Sequence, residues 1–443
     1  MSASPMTSHE PEVTEALAIP PSPENLGDIG LSADALRDLL LKALYVQGSR
    51  TGQYLADYVR LPFPLVDEEL LTLQQRRFIE VRGTVAPHRS SYLFDLAGEG
   101  RDRARAALES SQYVGPMPVP LSQYQTWIHA QSIKLAHVTQ ETLRAGFSHL
   151  VLEESIFEIL GPAVNSSKSI FLYGHPGNGK TAIAEAISEM LGGVLYIPYA
   201  VDIDGQIMQV FDPVHHEELT VVETGGIESL WRKGPSYDRR YARVKRPVVL
   251  TGGELTLDQL DLRYDSFTKV YQAPFQVKAN GGVLIVDDFG RQRVPPRDLL
   301  NRWIVPLEKR LDYLTLHTGG KFPVPFDCLL IFATNLDPSE LVEEAFLRRI
   351  HYKIPVVDPT REQYEQIFRA QCVSQGLRYD SAAVAYVFSE FYDRFGIQPR
   401  GCHPRDLIAH ILDISKYREL NPELSTDLLQ GACRSYFLVS GAA

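Results

Sequence analysis

This 443-residue sequence predicts an α/β fold, and three observations predict it. An apolar run at 169–173 leads through a glycine-rich loop into a helical pattern at 182–191. Two further apolar runs, at 283–286 and 328–333, have the length of buried strands, and residues 359–437 are mostly helical in pattern. Composition agrees: 44% hydrophobic and 22% charged residues belong to a globular chain and exclude collagenous, disulfide-scaffold and wholly disordered classes. A length of this size corresponds to about three domains.

Lys plus Arg number 44 against 55 Asp plus Glu, a net charge of -11, which excludes a general polyanion binder but leaves room for a local basic face. The apolar runs fall well short of the ~18 residues of a membrane span, and the amino-terminal stretch has no apolar signal region, so a cytoplasmic protein with no membrane insertion is expected. Four cysteines, Cys328, Cys372, Cys402 and Cys433, form no C-x-x-C pair and are read as ordinary thiols.

Residues 1–30, rich in Ser, Pro and Glu without an apolar stripe, read as a disordered tail. From 31 to 110 a helix at 32–47 behind Ser32, shorter helical patterns at 51–60 and 64–75, strands at 78–81 and 92–96, and a helix from Glu99 resemble a small α+β winged helix-turn-helix module. Asp67, Glu68 and Glu69 in the would-be recognition helix favour a docking or oligomerisation domain, while Arg76, Arg77, Arg82 and Arg89 keep DNA binding open. Residues 111–138, with prolines at 116, 118 and 120, read as a linker.

The chemistry starts at Gly174-His175-Pro176-Gly177-Asn178-Gly179-Lys180-Thr181, a complete G-x-x-x-x-G-K-T between an apolar strand and a helix. Such a loop turns backbone N–H groups and a helix N-terminus toward phosphates, with Lys180 neutralising the β- and γ-phosphates and Thr181 supplying a Mg²⁺ ligand. The run 281–288 ends in Asp287 and Asp288, the pattern of a Walker B strand: Asp287 to hold Mg²⁺ through its water shell, Asp288 to act as general base toward water.

With these motifs the chain resembles the AAA+ ATPases over about 139–437. The resemblance implies a P-loop NTPase core, a twisted and mainly parallel sheet flanked by helices, at 139–358, and a C-terminal helical lid at 359–443. It makes Asn335, at the end of 329–335, the sensor 1 amide that orients the lytic water. It makes Arg349, with Arg348 beside it, the arginine finger that reaches a neighbour's γ-phosphate, and Arg405 the sensor 2 residue of the lid. ATP and Mg²⁺ are the implied cofactors, and a ring-forming homo-oligomer that remodels a protein partner is the implied function. An ATP-gated switch with little turnover and a DNA-associated protein stand as alternatives.

Two departures matter. The family's usual Glu after the Walker B Asp is here Asp288, one methylene shorter, compatible with slow turnover, a compensating backbone shift, or ATP binding alone. Lys180 and Asp287 are 107 positions apart, which implies an insertion at about 203–275. Within it, 231–246 carries seven Lys/Arg against one acid, interleaved with Trp231, Tyr237 and Tyr241. That stretch reads equally as a channel loop gripping polypeptide or nucleic acid and as an arm at a subunit interface. Neither Cys402-His403 nor His215-His216-Glu217-Glu218 has metal-ligand spacing, and both read as structural or surface residues.

Overall fold

The computed structural model describes residues 18–219, 237–337 and 348–437. Residues 1–17, 231–236 of the basic stretch and 345–347 of the finger segment lie outside the described residues.

The chain is ordered earlier than its composition implies. α1 (Leu26–Ile29) is closed by a capping box between Asn25 and Asp28 and buries Ile29. Pro20 and Ile29 give their carbonyls to the Asp238 N–H and the Arg240 guanidinium, both at 2.8 Å. Residues 18–30 are therefore a strap on the protein and not part of a disordered tail. α2 (Ala33–Gln47) begins where Ser32 accepts from the Ala35 N–H. β1 (Arg50–Thr51), α3 (Gly52–Val59), α4 (Phe63–Gln75), β2 (Ile79–Thr84), β3 (Tyr92–Leu96) and α5 (Gly98–Ser110) follow, the strands pairing antiparallel in the order β1-β3-β2 around Leu40, Leu55, Leu70 and Phe94.

Next come β4 (Val119–Pro120), α6 (Leu121–Ala130), α7 (Gln140–Gly146), α8 (Glu154–Ser166), β5 (Ile170–Tyr173), α9 (Lys180–Leu191), β6 (Val194–Pro198), β7 (Ala200–Ile203), β8 (Gln206–Gln209), β9 (Tyr241–Lys245) and β10 (Val248–Thr251). They are followed by β11 (Arg263–Asp265), β12 (Val270–Gln272), α10 (Phe275–Lys278), β13 (Val283–Val286), α11 (Pro296–Lys309), β14 (Leu311–Thr315), β15 (Lys321–Pro325), β16 (Leu329–Thr334) and β17 (Tyr352–Pro355). The central sheet has the order β10-β13-β16-β5-β17 and every pair is parallel. Its three inner strands, β13, β16 and β5, are almost wholly apolar because both of their faces are covered. Ile170, Leu172, Ile285 and Ile331 pack with Ile183 and Ile187 of α9, while Phe171, Leu284, Leu330 and Phe332 pack on the other side with Leu299 and Trp303 of α11. This is the α/β core of helices on a parallel sheet that the sequence predicts.

The expected insertion is two segments, because β10, inside 203–275, is the edge strand of the central sheet. Around it the antiparallel β6–β9 pair and a second five-stranded sheet, β11-β12-β8-β7-β4, form a separate layer. The expected linker supplies one of its strands: β4 pairs in parallel with β7, and the Met117 N–H donates to the Val59 carbonyl at 2.8 Å. Residues 111–138 thus cement the amino-terminal domain to the core. From Tyr237 onward the basic stretch is also structural. Arg239 meets Asp57 at 2.8 Å, Arg240 is buried against Asp238 at 2.7 Å, and Lys245 and Arg246 bind Glu217 and the Gly192 carbonyl.

The lid comprises α12 (Arg361–Ser374), α13 (Ser381–Val387), a π-helical turn at Phe388–Asp393, α14 (His403–Tyr417) and α15 (Thr426–Tyr436) around Tyr364, Phe368, Leu407 and Leu429. His403 is buried there, its Nδ1 2.9 Å from the Tyr392 hydroxyl, and His216 is buried between the Asp212 N–H and the Lys278 carbonyl, so both are structural as expected. Among the described residues no helix is long and apolar enough to cross a membrane.

Lys42, on α2, is 8% exposed beside the junction with the second sheet and donates to the Ser111 carbonyl at 3.2 Å. Burial lowers its pKa from 10.5 to about 8, with Asp38 opposing. Between those values the unfolded chain holds the proton more tightly than the folded one, so stability rises with pH across that window, and the penalty is complete below pH 8. Lys42→Met is expected to raise unfolding free energy at pH 7 by about 2 kcal/mol, net of the lost hydrogen bond. Denaturant titrations from pH 7 to 10.5 should show that advantage shrinking as pH rises.

Candidate functional site

The carboxyl ends of parallel strands share one edge of the sheet, and the predicted loop leaves from that edge at β5. Gly174 adopts φ 142°, and a Cβ there would lie 2.2 Å from the Val356 carbonyl oxygen, so glycine is required by space as well as by dihedral. α9 begins at Lys180 with no side-chain cap, leaving its first-turn N–H groups directed at the loop's mouth. Lys180 is buried, its ammonium donating to the Gly174 and His175 carbonyls at 2.9 and 2.8 Å. Burial lowers its pKa, against the opposing pull of Asp287 and Asp288.

β13 brings the acids to the same place. The Thr181 hydroxyl donates to Asp287 Oδ2 at 2.7 Å, so the two expected metal ligands stand within one hydrogen bond of each other. A hydroxyl and a carboxylate are hard oxygen donors suited to Mg²⁺, which takes few protein ligands and keeps several waters. Asp288 sits at φ 47°, a left-handed turn unusual outside glycine, which swings it off the strand line. Its carboxylate accepts from Asn335 Nδ2 at 2.9 Å. Gln292 braces the turn: its amide donates to the Asp287 and Asp288 carbonyls at 3.1 and 3.3 Å and its oxygen accepts from the Gly290 N–H at 2.8 Å. The turn is also tied to β16, with the Phe289 N–H on the Ala333 carbonyl at 2.8 Å and the Thr334 hydroxyl on the Phe289 carbonyl at 2.6 Å. A cavity of about 360 Å³, lined by Gly174, His175, Asn335, Val356 and Asp358, opens at this edge, where ligands of open parallel sheets bind.

The structure thus brings together Lys180, Thr181, Asp287, Asp288 and Asn335. It leaves the arginines of the finger segment apart. The Arg349 carbonyl accepts from the Ser169 hydroxyl at 3.4 Å at the amino-terminal end of β5, and its side chain meets Glu308 at 2.5 Å. At ~3.3 Å per residue, the length of β5 separates it from its own loop by more than 10 Å. Arg348 and Arg349 line a separate cavity of about 550 Å³ with Lys134, Lys168, Arg310 and His351. Sequence reading missed Lys134, Lys168 and Arg310, which come from three distant segments.

On the lid, Arg405 is in the first turn of α14 and pairs with Asp406 at 2.9 Å. The arginine that touches the loop is Arg400, donating to the Pro176 carbonyl at 2.9 Å. Asp358 reaches the loop as well, 2.7 Å from Asn178 Nδ2 and 2.9 Å from His175 Nδ1. Arg400 lies just before the stretch that carries the predicted Arg405 and was within reach of sequence reading. Asp358 and Gln292 carry no motif.

Residues 360–435, the lid, match a family model described as Domain of unknown function (DUF8689). No curated protein matches the chain in sequence. Among solved structures the chain is similar to the Thermotoga maritima RuvB Holliday junction branch migration motor, with 14% identity, 64% of this chain and 69% of that chain covered and a TM-score of 0.36. It is similar also to NtrX from Brucella abortus in complex with ADP, with 12% identity, 82% of this chain and 59% of that chain covered and a TM-score of 0.36.

The close approach at Gly174 makes a sharp test of the loop's geometry. Gly174→Ala is expected to cost about 3 kcal/mol or more, because both the dihedral and the Val356 carbonyl reject a Cβ. Chemical denaturation of the variant beside the parent protein measures it.

Proposed function

We propose that the protein is a Mg²⁺-dependent ATPase of the AAA+ type that works as a homo-oligomer and couples hydrolysis to remodelling of a protein partner. The observation that carries the ATPase reading is the convergence of Lys180, the Thr181–Asp287 pair and the Asp288–Asn335 pair at one edge of the parallel sheet. In this reading the loop amides and Lys180 bind the β- and γ-phosphates, and Thr181 and Asp287 hold Mg²⁺. The ion supplies charge neutralisation on the phosphates. Asn335 orients the attacking water and holds the Asp288 carboxylate, which takes the proton. The left-handed turn at Asp288, braced by Gln292, supports a backbone that offsets the shorter side chain.

Assembly is supported by the position of Arg348 and Arg349. They stand at the sheet edge opposite their own loop, where they serve a neighbour's phosphates and not their own. Arg405, one turn into the lid helix, would reach the phosphates by releasing Asp406.

A protein partner is favoured over DNA by the pairing of several of the amino-terminal domain's arginines, Arg76 and Arg77 not among them. Arg82 is held by Asp95, Arg89 by Asp67 and Arg103 by Asp38, at 2.7 to 2.9 Å. Arginines so neutralised release few counterions on DNA. The order of three helices and a β1-β3-β2 sheet supports the winged-helix reading of this domain as a docking module.

Steady-state phosphate release with saturating Mg-ATP tests the proposal. Turnover per chain should rise with protein concentration and vanish in Lys180→Ala; concentration-independent turnover that survives the substitution would reject it. Arg349→Ala should bind ATP normally yet lose roughly a thousandfold in rate. Asp288→Glu should change turnover by less than about tenfold if the turn already places the carboxylate, and a much larger gain would favour the switch reading.

A further inference from the structure

We propose that Asp358 and Arg400 are positioning residues that hold the phosphate loop in its nucleotide-receiving shape from the lid side, so that lid docking and nucleotide affinity form one equilibrium. The inference rests on the reading of residues 174–181 as the nucleotide site.

The four consecutive carbonyls of the loop's first half are all engaged. Those of Gly174 and His175 accept from Lys180. That of Pro176 accepts from Arg400 at 2.9 Å, and that of Gly177 from the Cys402 N–H at 2.7 Å. In a trans peptide the C=O and the following N–H point in opposite directions. Donors that draw the Pro176 and Gly177 carbonyls toward the lid therefore turn the N–H groups of Gly177 and Asn178 the other way, as an anion-binding nest requires.

The side chains are held from the same direction. One Asp358 carboxylate spans the loop, with Oδ1 on Asn178 at 2.7 Å and Oδ2 on His175 at 2.9 Å, and Asn178 Oδ1 accepts from the Gly401 N–H at 3.2 Å. Asp358 lies on the connection from β17 to α12, the chain's passage from sheet to lid, so a lid movement that pulls on this connection pulls on the loop. Burial pushes the Asp358 carboxyl pKa up, but the hydrogen bonds from Asn178 and His175 and the charges of His175 and Arg400 outweigh it and hold it below the ordinary carboxylate range. Glycine at 177 is what permits the approach, since a Cβ there would stand 2.5 Å from Cys402 Sγ.

Linkage is reciprocal: if the docked lid raises nucleotide affinity, nucleotide strengthens lid docking by the same factor, and a partner that draws the lid away expels nucleotide. The experiment is a titration of the full-length protein with a fluorescent ATP analogue and Mg²⁺, run on the parent, Lys180→Ala, Asp358→Ala, Asp358→Asn and Arg400→Ala, with unfolding midpoints measured without nucleotide. Asp358→Ala and Arg400→Ala are each expected to raise Kd roughly tenfold, the worth of a hydrogen bond to a charged group. Asp358→Asn should stay within about threefold of the parent, because an amide can still accept from Asn178 and donate to His175. If the parent and Asp358→Ala bind equally while Lys180→Ala fails to bind, the clamp is wrong and the nucleotide site stands. If the parent does not bind, the site reading falls and the clamp with it. Should Asp358→Ala not fold, Arg400→Ala decides the question alone.

Discussion

Parallel register in the central sheet is the constraint on which the site depends. β13 meets β16 with Val286 opposite Phe332, and β16 meets β5 with Thr334 opposite Tyr173. Those two registers bring the ends of three strands to one level, so Gly174, Asp287, Asp288 and Asn335 emerge side by side although they are far apart in the chain. The 2.7 Å Thr181–Asp287 and 2.9 Å Asp288–Asn335 bonds are consequences. A shift of one residue in either pairing would turn each side chain to the other face of the sheet and separate them. The parallel pairing of β17 with β5 puts Arg349 at the far edge, away from its own loop.

Around this edge the polar groups are tied in series. Gln292 holds the turn of Asp288, Thr334 holds Phe289, and Asp358 with Arg400 holds the loop. The bonds of Thr334 and Gln292 satisfy carbonyls that burial would otherwise leave costly. The result is a loop whose shape is determined from the lid as well as from the sheet.

The amino-terminal domain and the second sheet show how an acidic chain uses its cations. Arg240, 2% exposed, joins Asp238, Gln123 and the Ile29 carbonyl, and so fastens the strap, α6 and β9 at one point. A buried guanidinium with its partners in place is strongly coupled to them, since removing either side leaves a charge without compensation. From Tyr237 onward, then, the basic stretch, which reads equally as a channel loop or an interface arm, is paired within the chain itself. Composition registers charge but not its partners, which come from Asp57, Glu217 and the Gly192 carbonyl, distant in sequence.

Legible in the sequence were local features: the glycine-rich loop between strand and helix, the acid pair after an apolar run, the Asn335 strand end, the helices of the lid and the helix behind Ser32. Each depends on residues within a few positions of one another, where backbone preference and apolar period are decisive. It is the folded arrangement that builds residues 18–30 and 111–138 into the body, makes Val248–Thr251 interrupt the insertion as a sheet edge, and has Arg400 and Asp358 meet the loop while Arg405 pairs with Asp406. These outcomes turn on strand pairing and hydrogen bonds between segments far apart in the chain. Such contacts leave no periodicity to read, because the residues that make them are selected by where the fold places their partners.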